Sequence, residues 1–318
     1  MKTITGIPQV DLNKYIIGNA DQKAEFVQEL GNAFSEIGFV SVINHGISIE
    51  LVNRFFKLSE QFFAQNLELK SKYEVKDGAG QRGYTSIGRE HAKQSNVGDL
   101  KEFFQFGQEL PEGHELKNEY PDNIYVDEMP EYKQIARELY VSFEKSGSYL
   151  LKAIAIYLNL PENYFDKHIE GGNSILRAIH YPPITAEPKS AIRAEEHEDI
   201  NLITLLFGAS ADGLQVRPIG HDWVDVKALG DSIVINVGDM LQRLTNNVLK
   251  STTHRVVNPP RELWHTSRIS IPFFLHPRSD MDLTCLENCI TAENPLQYEP
   301  ISAGEYLDER LREIGLKK

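Results

Sequence analysis

Between Gln22 and Ile37 the apolar residues Phe26, Leu30, Ala33, Phe34 and Ile37 recur at helical spacing, which predicts an amphipathic helix. A short apolar run from Gly38 to Ile43 follows and reads as a strand that stops at the turn signal Asn44-His45-Gly46. Helical spacing returns from about Ile49 to Phe63, through Leu51, Val52, Phe55, Phe56, Phe62 and Phe63. It returns again from about Pro130 to Leu158, through Ile135, Leu139, Phe143, Leu150, Ile154 and Leu158. From about Asn173 onward the pattern changes. Short β-rich runs at Ile175–Tyr181, Leu202–Phe207, Leu214–Val216, Trp223–Val226, Ser232–Asn236, His254–Val257 and Ile269–Leu275 are broken by clusters such as Ala211-Asp212-Gly213 and Asn258-Pro259-Pro260. Runs of this length and spacing predict a β-sandwich or barrel. A last amphipathic helix is expected from about Ala303 to Ile314. With no internal repeat, low-complexity tract or long linker, the expectation is one structural unit: a mainly β protein with a helical N-terminal layer, residues 1–170, packed on a β core with its C-terminal helix, residues 171–318.

Composition narrows the function classes. No stretch approaches the ~18 uninterrupted apolar residues of a spanning helix. The opening MKTITGIPQVDLNKY has no apolar signal-peptide core, so a cytoplasmic protein with no membrane partner is expected. The net charge of -13, from 33 Lys+Arg against 46 Asp+Glu, argues against a nucleic-acid surface, which needs a basic face. Cys285 and Cys289 are the only cysteines; they exclude a disulfide framework and an all-cysteine zinc site, and suggest no role of their own.

Three elements carry candidate chemistry. His197-Glu198-Asp199 immediately precedes a predicted strand, and residues two apart on extended chain project to one side, so both ends can reach one ion. Alone, such a triplet is an ordinary surface turn. His254, in Ser251-Thr-Thr-His-Arg-Val-Val257, starts another predicted strand. Two histidines and one carboxylate on one face of a barrel form a facial triad that leaves open positions on Fe(II). Arg268 and Ser270 alternate on a third strand among Ile269, Ile271, Phe273 and Phe274, where a buried guanidinium needs an anionic partner and a fork beside a hydroxyl suits a carboxylate.

The order of these elements, with Asp231-Ser-Ile-Val-Ile-Asn-Val-Gly-Asp239 between them, resembles the isopenicillin N synthase-like family of Fe(II)/2-oxoglutarate-dependent oxygenases. Ile7-Pro-x-x-Asp11-Leu, Gly38-Phe-x-x-x-x-Asn44-His45-Gly46 and Arg82-Gly83-Tyr84 resemble its N-terminal region, so the likeness runs from about Ile7 to Pro277. It implies a double-stranded β-helix (jelly-roll) core, iron ligation by His197, Asp199 and His254, and a distal-carboxylate site for 2-oxoglutarate at Arg268, Ser270 and Tyr181. It implies Fe(II), 2-oxoglutarate and O2 as the cofactor and cosubstrates. The reaction implied is hydroxylation, desaturation or cyclisation of a small molecule. One departure stands out: many members carry Asn-x-Tyr where this chain has Ile179-His180-Tyr181, and the missing Asn usually orients the iron-bound end of 2-oxoglutarate. Ile179 therefore keeps open an oxidase of the same fold that uses no 2-oxoglutarate. A non-catalytic metal-binding jelly roll ranks lower, since a structural site needs neither open positions nor the Arg-x-Ser pair, and a hydrolytic zinc site lower still, since no dedicated general base accompanies the triad. The family's N-terminal region helps cover the barrel mouth, which makes Arg82, Tyr84, Arg89 and Phe104 candidate substrate contacts, with surface or core positions as the ordinary alternative. Basic candidates in an acidic protein hint at an acidic substrate. His180 is a further candidate, although it should face away from Ile179 and Tyr181.

Overall fold

The computed structural model of the protein describes residues 6–75, 80–91, 98–188, 191–208, 210–226 and 231–317. Its strands, in chain order, are β1 (Gln9–Asp11), β2 (Phe39–Ile43), β3 (Gly83–Thr85), β4 (Glu102–Gly107), β5 (Ile175–Tyr181), β6 (Ala194–His197), β7 (Ile203–Phe207), β8 (Leu214–Val216), β9 (Val224–Asp225), β10 (Ile233–Val237), β11 (His254–Val256) and β12 (Arg268–Leu275). They form an eight-stranded sheet in the order β1-β2-β10-β7-β12-β5-β4-β3 and a four-stranded sheet in the order β6-β11-β8-β9. Only β1 and β2 pair in parallel; every other pairing is antiparallel. The two sheets are the halves of a double-stranded β-helix.

The helices Ala20–Glu36, Ile49–Phe63 and Pro130–Tyr157 belong to the helical layer expected from the sequence. They are not its whole N-terminal content. The chain before residue 170 also supplies β1 to β4, four of the eight strands of the large sheet, so the N-terminal region extends the core as well as covering it. The first long helix starts at a capping box between Asn19 and Gln22. Just past its end is Gly38, with φ of 77°, a left-handed position where a Cβ would also collide with the Lys250 carbonyl. This turn delivers Phe39 and β2 to the large sheet.

Two apolar clusters lie on opposite faces of that sheet. Leu176 and Ala178 of β5, Ile203 and Leu205 of β7, Ile233 and Ile235 of β10, and Ile269, Ile271, Phe273 and Leu275 of β12 join the helices in the larger one. Phe39, Phe103, Ile179, Tyr181 and Val234 face inward to a smaller cluster shared with Ala194, Leu214, Val216 and Val256 of the small sheet. Successive side chains on a strand point to opposite faces, and here both faces are covered, so the strands read as nearly continuous apolar runs.

Phe62, at the end of its helix, is fully buried and sits at the centre of the aromatic contact between helices and sheet. Its ring lies 4.9 Å from that of Phe104, 5.4 Å from Phe63 and 5.9 Å from Tyr84. Phe62→Ala is expected to cost about 3–5 kcal/mol of unfolding free energy. Equilibrium denaturation checks this, and a loss below ~1 kcal/mol would mean the helical layer docks through other contacts.

Candidate active site

His197 is the last residue of β6 and His254 the first of β11, and the two are direct partners in the antiparallel register. Their ring centroids are 4.3 Å apart. Asp199 lies in the connection from β6 to β7, where the chain passes from the small sheet to the large one. One ligand atom from each of the three can be chosen so that all lie within 4.8 Å of one another, and this is the metal-compatible cluster among the described residues. His197 Nδ1 is 2.6 Å from the Glu195 carbonyl and His254 Nδ1 is 3.2 Å from the Thr252 carbonyl. Donation from each Nδ1–H to its carbonyl leaves both Nε2 lone pairs for an ion. Burial, reinforced by the neighbouring His197, pushes the His254 pKa down from 6.5 to about 4, so His254 is neutral at pH 7. Asp199 Oδ2 accepts from Thr204 Oγ1 at 2.6 Å and from Asn236 Nδ2 at 2.9 Å, while Asp199 Oδ1 is 3.8 Å from His254 Nε2. Burial opposes ionisation of Asp199, but the two histidines and these two donors outweigh it and hold its pKa below the ordinary value. Two imidazole nitrogens and one carboxylate oxygen, with no thiolate nearby, are a donor set that suits Fe(II).

The same cavity, about 840 Å³, is lined by Tyr181, Arg268 and Ser270. In the sheet Arg268 pairs with Tyr181 and Ser270 with Ile179. Arg268 is buried; its Nε donates to the Ala211 carbonyl at 3.0 Å, and its Nη1 has no hydrogen-bond partner. A buried guanidinium with a free donor in a cavity is a receptor for an anion. Ile179 also lines the cavity and brings no hydrogen-bonding group to it.

The other sequence candidates lie elsewhere. The Phe104 ring points into the helical core, because the inward positions of β4 are those of Phe103 and Gln105. Tyr84 also belongs to the helical core. His180 faces away from the cavity, stacks on Phe63 at 5.0 Å and contacts Glu102 Oε1 at 2.8 Å. Glu102 also accepts from Lys70 at 2.8 Å and from Tyr84 at 2.5 Å. Arg82 is buried beside Gly107, where a Cβ would collide with its guanidinium, and it donates to Gln108, Asn173 and the Gln81 carbonyl. Arg89 is at the surface, paired with Glu74. None of these five lines the cavity.

The cavity wall instead holds a buried charge network that sequence reasoning missed. Lys101 Nζ is 2.6 Å from Glu90 and 2.8 Å from Asp99, and Arg177 Nη1 is 3.2 Å from Glu90. Burial works against charge on Glu90, yet Lys101 and Arg177 together pull its pKa down to about 2. Asp99 Oδ1 accepts from the Glu195 backbone N–H at 3.1 Å, tying the network to the strand that carries His197. Arg177 was accessible from the sequence, since it has the same strand parity as Ile179 and Tyr181. Glu90 and Asp99 come from a stretch without periodicity.

Three side chains able to hold an ion from one side, next to a buried guanidinium with an unused donor, suit a mononuclear non-haem iron oxygenase. The comparisons agree. Residues 7–128 match the family described as non-haem dioxygenase in morphine synthesis N-terminal, and residues 172–277 match the 2OG-Fe(II) oxygenase superfamily. A proline hydroxylase, buaE, of Petromyces alliaceus is 33% identical over 322 residues, covering 96% of this chain and 98% of the relative. A 2OG-Fe(II) oxygenase family protein from Caulobacter crescentus superposes with a TM-score of 0.87 at 42% identity, over 98% of this chain and 100% of that one. A Neurospora crassa protein solved in complex with alpha-KG (2-oxoglutarate) and thymine superposes with a TM-score of 0.85 at 30% identity, over 96% of each chain. The chain belongs to the 2OG-Fe(II) oxygenase superfamily: it is an oxidoreductase that uses Fe(II), 2-oxoglutarate and O2. Among the described residues, no helix is long and apolar enough to cross a membrane.

Thr204→Val and Asn236→Ala each remove one of the two donors to Asp199 Oδ2, and each is expected to weaken Fe(II) binding by about 10–100-fold, as loss of a hydrogen bond that orients a metal-binding carboxylate commonly does. Anaerobic calorimetry measures it, and unchanged affinity in both variants would show that Asp199 needs no such support. His276, buried on the cavity wall, has its pKa pushed from 6.5 down to about 4 by burial. It stays neutral in the folded protein while the unfolded chain takes up a proton below 6.5. Metal-free protein is therefore expected to lose stability as pH falls from 6.5 toward 4, by at most ~1.4 kcal/mol per pH unit from this group. His276→Gln should flatten that slope in denaturation curves across the window; an unchanged slope would remove His276 from the account.

Proposed function

We propose that this oxygenase oxidises a C–H bond of a small polar molecule, with Fe(II) held by His197, Asp199 and His254 and the distal carboxylate of 2-oxoglutarate held by Arg268, Ser270 and Tyr181. The observation that carries this is the pairing, in one cavity, of the three-ligand cluster with the unpartnered Nη1 of Arg268. The chemistry supplied when Fe(II), 2-oxoglutarate and O2 are bound is decarboxylation to succinate and CO2 coupled to oxidation of the substrate. The protein's part is orientation and exclusion of water. The carbonyls of Glu195 and Thr252 fix the two imidazole rings, and Thr204 with Asn236 fixes the carboxylate. Leu307, Leu311 and Ile314, in or just after the helix Ala303–Glu313, line the cavity on another side and help shield it from solvent.

A small polar substrate is favoured by the cavity wall, where Gln81, Glu90, Lys101 and Arg177 offer donors and acceptors beside Pro272 and Phe274. It is also in keeping with thymine in the Neurospora crassa complex and with the proline hydroxylase named above. A cytoplasmic setting is proposed on the two free, buried thiols Cys285 and Cys289, which suit a reducing compartment.

The test is anaerobic titration of Fe(II)-loaded protein with 2-oxoglutarate, followed by the weak visible charge-transfer band of the chelate. The native protein is expected to show a saturable band. Arg268→Leu should keep its iron but need at least about 100-fold more 2-oxoglutarate, as befits loss of a buried charge-assisted pair. His254→Ala should lose both iron and band. Iron binding without any band in the native protein would overturn the placement of 2-oxoglutarate on this iron, and with it the roles given to Arg268, Ser270 and Tyr181.

A further inference from the structure

Behind the cosubstrate end of the cavity lies a second arginine with no obvious structural necessity. Arg193, just before β6, is 1% exposed. Its Nη2 donates to the Thr266 carbonyl at 3.1 Å, and its Nε has no partner. Its guanidinium carbon is 5.9 Å from the centre of the Tyr181 ring, and that of Arg268 is 5.0 Å from the same ring. Neither arginine is in an ion pair with a carboxylate among the described residues; Asp212 acts on Arg268 only as the weakest of its influences. Burial and the nearby Arg268 both push the Arg193 pKa down, to about 10, which still leaves it charged at pH 7. Two buried like charges flanking one aromatic ring are costly unless an anion joins them. The buried charges of the opposite wall differ, since Lys101 and Arg177 are matched there by Glu90 and Asp99.

We propose that Arg193 is a positioning residue for the cosubstrate: a second buried cation beside Tyr181 that, with Arg268, makes the protein select a 2-oxo acid carrying a distal carboxylate. The proposal rests on the reading that Arg268, Ser270 and Tyr181 receive that carboxylate. Arg193 does not itself line the cavity, so it acts through the Tyr181 ring and through its field. Binding strength is then concentrated at the end of the cosubstrate remote from the metal, opposite the end where Ile179 offers no hydrogen bond.

The experiment compares binding of 2-oxoglutarate with that of 2-oxopentanoate, which keeps the 2-oxo acid and lacks the distal carboxylate. Both are titrated anaerobically by calorimetry into Fe(II)-loaded protein, native and variant. Arg193→Gln is expected to raise the Kd of 2-oxoglutarate by roughly tenfold or more, the scale of one screened charge at this range. It should leave the Kd of 2-oxopentanoate within about twofold, and Arg193→Lys should restore most of the 2-oxoglutarate affinity, because charge rather than shape is needed. A merely structural Arg193 would weaken both ligands alike, and that result overturns the proposal. If Arg193→Gln binds like the native protein while Arg268→Leu loses its preference for 2-oxoglutarate, the proposal falls and the Arg268 reading stands. If neither variant changes that preference, the Arg268 reading falls, and the proposal with it. Should Arg193→Gln not fold, the neutral Arg193→Met takes its place: a selective loss of 2-oxoglutarate affinity that Arg193→Lys does not show supports the proposal, and equal loss of both ligands, or no loss of either, overturns it.

Discussion

The central strands of the large sheet are covered on both faces, and the strict alternation of side chains along them assigns each residue to one of two environments. On β12 the odd-numbered Ile269, Ile271 and Phe273 anchor the helices, while Arg268, Ser270, Pro272 and Phe274 reach the cavity. On β5 the split falls between Leu176, Ala178 and His180 on one side and Ile175, Arg177, Ile179 and Tyr181 on the other. A shift of one residue in register would bury the polar set among the helices and empty the site. The packing that holds the helical layer is therefore also what aims the chemistry.

The small sheet works differently. It places His197 and His254 side by side as register partners, and the crossing to the large sheet brings Asp199 to them. Two histidines of the small sheet and a carboxylate on the crossing to the large one can converge only if the halves keep their spacing. Phe39, carried in by the turn at Gly38, sets its ring edge-on against His254 at 5.5 Å and fills the gap between the sheets at that point. Asp199 is buttressed from the large sheet by Thr204 and Asn236, so its second oxygen is engaged and the first is left to an ion.

What could be read in the chain, and what could not, follows from the same alternation. The grouping of His197, Asp199 and His254 was legible from residue type, with two of them at His-x-Asp spacing and His254 marked only by the order of the predicted strands; the shared cavity of Tyr181, Arg268 and Ser270 was legible because each sits on a recognisable strand. The large-sheet strands β5, β7, β10 and β12 announced themselves as apolar runs. β3 and β4 did not: Glu102 and Gln105 interrupt β4, and its polar side chains are satisfied by Lys70, Tyr84, His180 and Arg177, all distant in sequence. Without the strand there was no parity, and Phe104 and Tyr84 could not be assigned to the helical side. Arg82 failed for a related reason. Its partners Gln108 and Asn173 are brought to it by folding, and nothing local marks it as a clamp on the end of β4.

The charges inside the cavity complete the picture. A cavity for one charged guest and one neutral one should carry unbalanced charge where the first sits and balanced charge where the second sits, because a buried ion without a counter-ion is tolerated only if a ligand supplies it. Around Lys101 and Arg177 the protein supplies its own carboxylates, so that wall presents directional hydrogen bonds with little net field. Around Tyr181 no described carboxylate pairs with Arg193 or Arg268, and the latter retains an unused donor. The asymmetry supports the proposed division, with an anion such as 2-oxoglutarate at the unbalanced end and a polar molecule of low net charge at the balanced one. It also weakens the expectation, drawn from Arg82 and Arg89, that the substrate is acidic: both arginines lie off the cavity, while Lys101, just before β4, and Arg177 of β5 face it and are already paired with carboxylates.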